Sequence, residues 1–306
     1  GLGLAASVLA WDLAAMTVLR AATGLVAGAV IPLAIAWIGD AVPYEDRQAT
    51  IGRFLTGMVM AQLLIGPLSG MAAEFAGWRA SFLMLAVLAL VVGALLARRL
   101  GRDVMLGGAT GQARGFGLGQ YLRLLRAPAG RRLMAAAAID GAALFGGAFP
   151  FTGAFLMEDF GLSPGRAGLV IAGFGFGSFL YTRLAKRLVG LLGERGLIAA
   201  GGAGLALALA GLAMAPNWWV VAALQVPMGM AFYMFHGVLQ ARATEALPDA
   251  RATAVSAFAM ALFLGQSVGA LVFGTVLHAA GYGAVFTGAA AVTAALAAWV
   301  ALTPGR

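Results

Sequence analysis

Apolar runs long enough to cross a bilayer recur along the whole chain, and they decide what it can fold into. They fall at roughly 14–38, 50–74, 79–97, 133–157, 164–182, 196–215, 218–241, 252–277 and 281–303. Each can cover a hydrocarbon core of about 30 Å at a helical rise of about 1.5 Å per residue. Residues 1–11 form an apolar piece too short to span. Backbone amides in lipid have no water to bond, so only helices or a closed barrel satisfy them, and these runs lack the alternation of barrel strands. The expectation is an all-α polytopic membrane protein with about nine complete transmembrane helices and an N-terminal stump. Composition agrees, since 62% of residues are hydrophobic and 10% charged, against about a quarter charged in a soluble domain.

One long stretch is written twice. Arg47, Gln62, Gly70, Gly77 and Phe82 recur at a constant offset as Arg251, Gln266, Gly274, Gly281 and Phe286, and Asp40-Ala-Val-Pro43 is answered by Glu245-Ala-Leu-Pro248. The period is too long for a solenoid unit, so the repeat is a half-molecule, and the expected architecture is two homologous helix bundles. On that logic residues 1–99 are the remainder of an N-terminal bundle, carrying the end of its third helix and helices four to six. Residues 100–130 form a glycine-rich cytoplasmic linker, and 131–306 a six-helix C-terminal bundle. Sliding the copies together sets Gly1 against the middle of the third helix of the second half. About 75 further residues are therefore expected upstream.

The net charge of +8 is placed, not spread. Assigning connections alternately to two sides gives one side nearly all the arginines, from Arg47 and Arg53 through Arg98, Arg131, Arg132 and Arg183 to Arg251. The other side receives only Arg79 and Arg166, with Arg20 inside a span. The rich side is expected to be cytoplasmic, which makes the charge an insertion signal and argues against nucleic acid as a partner. The absence of cysteine excludes disulfides and thiolate metal sites. The glycines between 107 and 119 do not form a phosphate loop, because the sole lysine, Lys186, follows no glycine. Gly265-Gln266-Ser267-Val268-Gly269 matches the nucleophile elbow of serine hydrolases, but the elbow needs a strand before it, and this serine lies within an apolar helical run. No enzyme activity, metal or cofactor is expected.

Several motifs, in order, resemble the major facilitator superfamily, and within it the bacterial drug and sugar (arabinose-type) efflux permeases related to drug:proton antiporters. Arg20-Ala-Ala-Thr-Gly24 with Gly28 is similar to the family's fourth-helix motif, and Asp40 to Pro43 with Arg47 to the connection after it. Gly66-Pro67-Leu-Ser-Gly70, followed by Gly77-Trp78-Arg79 and Phe82, resembles the antiporter signature and the entry to the sixth helix. Gln62 and Met71 stand where the family has Gly. Phe232-Tyr-Met-Phe-His236 through Gly265-Gln266-Ser267 resembles the tenth and eleventh helices. Arg183-Leu-Ala-Lys186-Arg187 occupies the place of the gate motif after the eighth helix, with Lys186 at the position of its Asp. The resemblance implies a cytoplasmic gate of Asp40, Arg47, Arg183, Lys186 and Arg187.

Polar residues inside spans are the candidates for function. Arg20 lies about 9 Å into its span, where a charge either snorkels or serves a proton or substrate site, and its counterpart in the second copy is the neutral Gln225. Asp140 is the only acid well inside any run. It either folds back to Arg131 or Arg132, or exchanges protons as a partly desolvated carboxylate. His236, about five residues from the cytoplasmic end of its run, is either an interfacial hydrogen-bonding residue or a proton-coupling group. Gln62, Gln225 and Gln266 bury amides, either lining an aqueous cavity or bonding helix to helix. Phe149 and Tyr233 are candidates for an apolar substrate surface. Gly66, Pro67 and Gly70 read as a hinge and close-packing seam, and Gly146-Gly147 with Pro150 favours a kink.

The expected protein is a secondary active transporter of a bacterial inner membrane, multi-pass and monomeric in the lipid bilayer. It exports a small drug- or sugar-like organic solute by alternating access, with a proton gradient as its energy source. An importer or facilitator of the same fold, or a non-transporting membrane sensor or fragment, are the alternatives.

Overall fold

The computed structural model describes residues 1–28, 30–42, 44–105, 118–247 and 250–303, with some helical residues, Asp40, Arg47 and Arg251 among them, described by backbone only. Among the described residues every regular element is helical. Six helical stretches among the described residues are long and apolar enough to cross a membrane: Thr56–Ala76, Trp78–Arg99, Pro128–Glu158, Pro164–Ala213, Trp218–Glu245 and Thr253–Leu302. The chain divides into two compact units. One comprises Gly1–Met58, Ile65–Gly115 and Ser163–Gly168, the other Val59–Leu64, Phe116–Leu162 and Leu169–Arg306.

In the first unit α1 (Leu2–Ser7) and α2 (Leu13–Ala27) are followed by α3 (Val30–Ala41), α4 (Tyr44–Ala76) and α5 (Trp78–Met105). The carboxylate of Asp12 caps α2 by accepting the N–H of Ala15 at 2.7 Å. Arg79 ties the start of α5 to the end of the first segment, Nε donating to the Val8 carbonyl at 3.0 Å and Nη2 to that of Ala10 at 2.9 Å. Of the run expected at 14–38, α2 and α3 are helical, Gly28 keeps helical dihedrals (φ −59°, ψ −23°) with its N–H on the Gly24 carbonyl, and residue 29 lies outside the described ones.

Gly66 and Gly70 bring α4 against the segment Ser163–Gly168. A Cβ on Gly66 would stand 2.9 Å from the carbonyl oxygen of Gly168, and one on Gly70 would overlap that of Pro164. Both glycines thus lie at backbone distance from that segment, and α4 continues as helix through Pro67.

In the second unit, α6 (Leu118–Arg126) and α7 (Pro128–Ala143) lead into a π turn (Leu144–Ala148) and α8 (Phe149–Glu158). Then come α9 (Pro164–Ala213, beyond Gly168), α10 (Trp218–Glu245) and α11 (Arg251–Leu302). The region read as a flexible linker, 100–130, is helical at both described ends, through Met105 and from Leu118, and residues 106–117 lie outside the described ones. The irregularity expected at Gly146-Gly147 takes the form of the π turn, in which the Phe149 N–H reaches the Leu144 carbonyl. Pro150 leaves the carbonyl one turn before it without a donor, which is where such turns form.

Two long helices absorb pairs of expected runs. α9 is helical except at Gly193 (φ 63°, ψ 179°) and α11 except at Gly281 (φ 77°, ψ −178°). The runs ending at 182 and 277 thus continue as helix up to a single glycine instead of entering a longer connection. Gly77, the partner of Gly281 in the sequence repeat, also has a left-handed φ of 78°. Only glycine adopts that conformation without strain, so the two copies share a backbone device as well as residue types.

α7 and α11 meet at backbone distance. A Cβ on Gly265 would overlap the carbonyl of Ala138, one on Gly269 that of Ala142, and one on Gly141 that of Leu262. The elbow-like motif is thus a small-residue seam. Ser267 lies mid-helix and exposed, its hydroxyl donating to the Phe263 carbonyl at 3.0 Å. Gly265→Ala is expected to lower stability by roughly 1–3 kcal/mol, since α7 and α11 must separate. Gly274→Ala, where a Cβ meets nothing within 4 Å, should be neutral or stabilising by up to about 1 kcal/mol. Thermal melts of detergent-solubilised protein check this, and equal tolerance at both positions would contradict the seam.

Candidate functional site

A carboxylate in the middle of a bundle needs a partner, and Asp140 has one. Its helix, α7, begins at Pro128 and reaches Asp140 after three turns. α10 runs the opposite way and carries His236 to similar depth. Nδ1 of His236 lies 2.6 Å from Oδ2 of Asp140, with Asp140 3% and His236 8% exposed. With the carboxylate ionised, the imidazole Nδ1–H donates. A carboxyl O–H donating to a neutral ring nitrogen fits the same atoms. The alternative in which Asp140 folds back to the neighbouring arginines is not realised. Arg131 instead donates through Nη1 to the carbonyls of Leu125 and Arg126, at 3.3 and 2.9 Å, closing the end of α6.

The imidazole is packed as well as bonded. Its ring stacks on Phe232 at 4.8 Å with 15° between planes, and Phe258 lies 5.7 Å away. On the side of the pair away from Arg132, Phe145, Phe149, Phe174 and Phe232 form one cluster, with centroid distances from 4.8 to 6.0 Å. On the other side lie Leu133, Met134, Ala137 and Leu239, all buried. Water is thereby kept from both ends, which strengthens the hydrogen bond and penalises any state leaving one partner charged and alone.

The remaining candidates are dispersed. Phe149 belongs to the aromatic cluster. The hydroxyl of Tyr233 donates to Oε1 of Gln62 at 3.0 Å, so these two residues meet each other. Gln225 is fully buried, and neither its Oε1 nor its Nε2 has a partner. Gln266 packs its backbone against Gly146. The guanidinium of Arg20 lies 5.5 Å from the centre of the Phe82 ring, and its Nε is buried without a partner. Arg183 sits over the Phe179 ring at 4.9 Å, and Arg183, Lys186 and Arg187 are exposed on α9. The side chains of Asp40 and Arg47 lie outside the described ones.

The contacts of three glutamates, Glu74, Glu158 and Glu194, were not foreseen. Glu74 accepts from the Ser163 hydroxyl at 2.8 Å and the Gly165 N–H at 2.9 Å, capping the start of α9, and Glu158 accepts from the Tyr282 hydroxyl at 2.7 Å. Arg242 Nε pairs with Glu194. The meeting of Asp140 with His236 had a signal, because both fall at comparable distances from the same end of their runs. Among the described residues no group of three or more His, Cys, Asp or Glu could hold a metal ion.

Removing one member of a buried pair strands the other. His236→Ala is expected to cost roughly 3–5 kcal/mol, and adding Asp140→Asn to it should restore part of that loss through a coupling of about 0.5–3 kcal/mol. A double-mutant cycle from reversible unfolding in detergent measures the coupling, and strict additivity would mean the two groups do not interact.

The family profile described as Major Facilitator Superfamily matches residues 1–149 and again residues 133–306. Together the two matches span the chain, and they agree with its apolar helices. Members of that superfamily are membrane transporters, not enzymes. The chain belongs to the major facilitator superfamily of multi-pass membrane transporters.

Proposed function

We propose that this protein is a secondary active transporter that exports a small organic solute, drug- or sugar-like, in exchange for protons. The observation that carries the reading is the Asp140–His236 pair, a carboxylate and an imidazole 2.6 Å apart and nearly sealed from water inside a helix bundle. Two groups sharing one hydrogen bond hold a proton in more than one arrangement, and a change in water access shifts which arrangement is stable. In alternating access, the proton taken up on one side is released when the bundles rearrange and the pair is rehydrated. Arg20, whose Nε is buried and unpaired, supplies a fixed positive charge in the other half for an anionic or hydroxyl-bearing group of the solute. Gln225, with both amide atoms unpartnered, is a candidate to bond the solute or an ordered water. The setting is a bacterial inner membrane, with the protein monomeric and without a resident cofactor.

Proteoliposomes loaded with a panel of anionic or hydroxyl-bearing drugs and sugars test this reading. The wild-type protein should drive efflux of at least one compound under an imposed proton gradient, while Asp140→Asn inserts normally and loses gradient-driven movement. Wild-type efflux by Asp140→Asn would overturn the coupling role. Pro67 is proposed as a hinge in α4, so Pro67→Ala should change the transport rate and leave unchanged which compounds compete. A changed competition pattern with unchanged turnover would assign the segment to the binding pocket instead.

A further inference from the structure

The stretch expected to be a linker, 100–130, contains a helix for which the transport reading has no use. α6 (Leu118–Arg126) stands one residue before α7, joined to it by Ala127 in an extended conformation (φ −73°, ψ 127°). α6 therefore lies level with the entry of α7, where a membrane-spanning helix passes the lipid headgroups. Packing and hydrogen bonds hold it there. Leu124 is 1% exposed and shares a buried core with Leu133 and Leu239, and Tyr121 packs against that core. A Cβ on Gly130 would overlap the Leu124 carbonyl, so α6 and the first turn of α7 touch at backbone distance. Arg131 closes the end of α6 by donating to the carbonyls of Leu125 and Arg126.

The surface of this docked helix is divided in three. At about 100° per residue, Leu124 marks the face on the core, Leu122 and Leu125 share a second face, and Arg123 and Arg126 a third. Leu122 is 44% and Leu125 48% exposed, and both arginines are exposed as well. Water suits the arginine face only, and hydrocarbon the leucine face only, whereas the boundary of a leaflet suits both. Charge agrees, since between Asp103 and Asp140 the sequence carries five arginines and no acidic residue. We infer that α6 seats in the interface of an anionic leaflet at the arginine-rich end of the second unit. Leu122 and Leu125 enter the acyl boundary, and Arg123 and Arg126 face the phosphates of anionic lipids. A soluble protein covering the same face would have to bring an apolar patch beside acidic groups. The leaflet offers both and is already at that level, because α7 enters it one residue further on.

The chain has no cysteine, so a single introduced one can carry a spin label without competition. Leu122→Cys and Leu125→Cys place the label on the leucine face. Gly119→Cys places it on the arginine face, where an added Cβ meets nothing within 4 Å. The full chain is reconstituted in vesicles of phosphatidylcholine with phosphatidylglycerol, and the accessibility of each label to oxygen, which concentrates in lipid, is compared with that to a water-soluble nickel chelate. Labels at 122 and 125 should be reached better by oxygen, and the label at 119 better by nickel. In vesicles of phosphatidylcholine alone, which leave the protein unchanged, nickel access at 122 and 125 should rise. Nickel reaching 122 and 125 as readily as 119 would overturn the proposal and leave the leucine face to a soluble partner. Equal depth at 122 and 125 in the two kinds of vesicle would also overturn it, because the headgroup charge would then play no part.

Discussion

A carboxylate buried to 3% exposure inside a membrane-spanning helix persists because an imidazole reaches it. Either ionised group alone in this setting costs several kcal/mol, and among the described residues neither has a second hydrogen-bond partner. Asp140 and His236 therefore fix each other, and through them α7 and α10. The stacked face of Phe232 holds the imidazole plane, so the hydrogen bond has one geometry to adopt.

What holds Asp140 at the right height is a backbone seam. Ala138 and Ala142 flank it on α7, and their carbonyls lie where Cβ atoms on Gly265 and Gly269 of α11 would stand. Gly141, the residue after Asp140, meets Leu262 in the same way. α7 is thus held against α11 at backbone distance on both sides of Asp140. Beyond it the π turn changes the helical phase, and the phenylalanines of the cluster follow on the far side of the pair. Aromatic packing and glycine contact together keep this region dry.

The fold class was legible because the constraint behind it is blunt: apolar runs in lipid must be helical, and their lengths could be read directly. The repeat was legible too, and it reappears as matching left-handed glycines at 77 and 281. Helix boundaries were less so. Gly193 and Gly281 turn the chain in a single residue, where hydropathy suggested longer connections. At the site, Asp140 and His236 were each marked by depth and chemistry, but which neighbour Asp140 would take depended on the rotation of α7 and α10 about their axes. The same limit applied to Tyr233 and Gln62, which were read as separate cavity residues and bond each other, and to Gln225, whose lack of partners follows from packing that no single helix specifies.

The central claim is that Asp140 exchanges a proton in partnership with His236, and infrared difference spectroscopy of the protein in lipid, recorded between acidic and alkaline pH, tests it without knowledge of the solute. The account predicts a protonated-carboxyl C=O band at acidic pH that is lost in Asp140→Asn and moves in His236→Gln. A difference spectrum in which that band is unchanged by Asp140→Asn would contradict it.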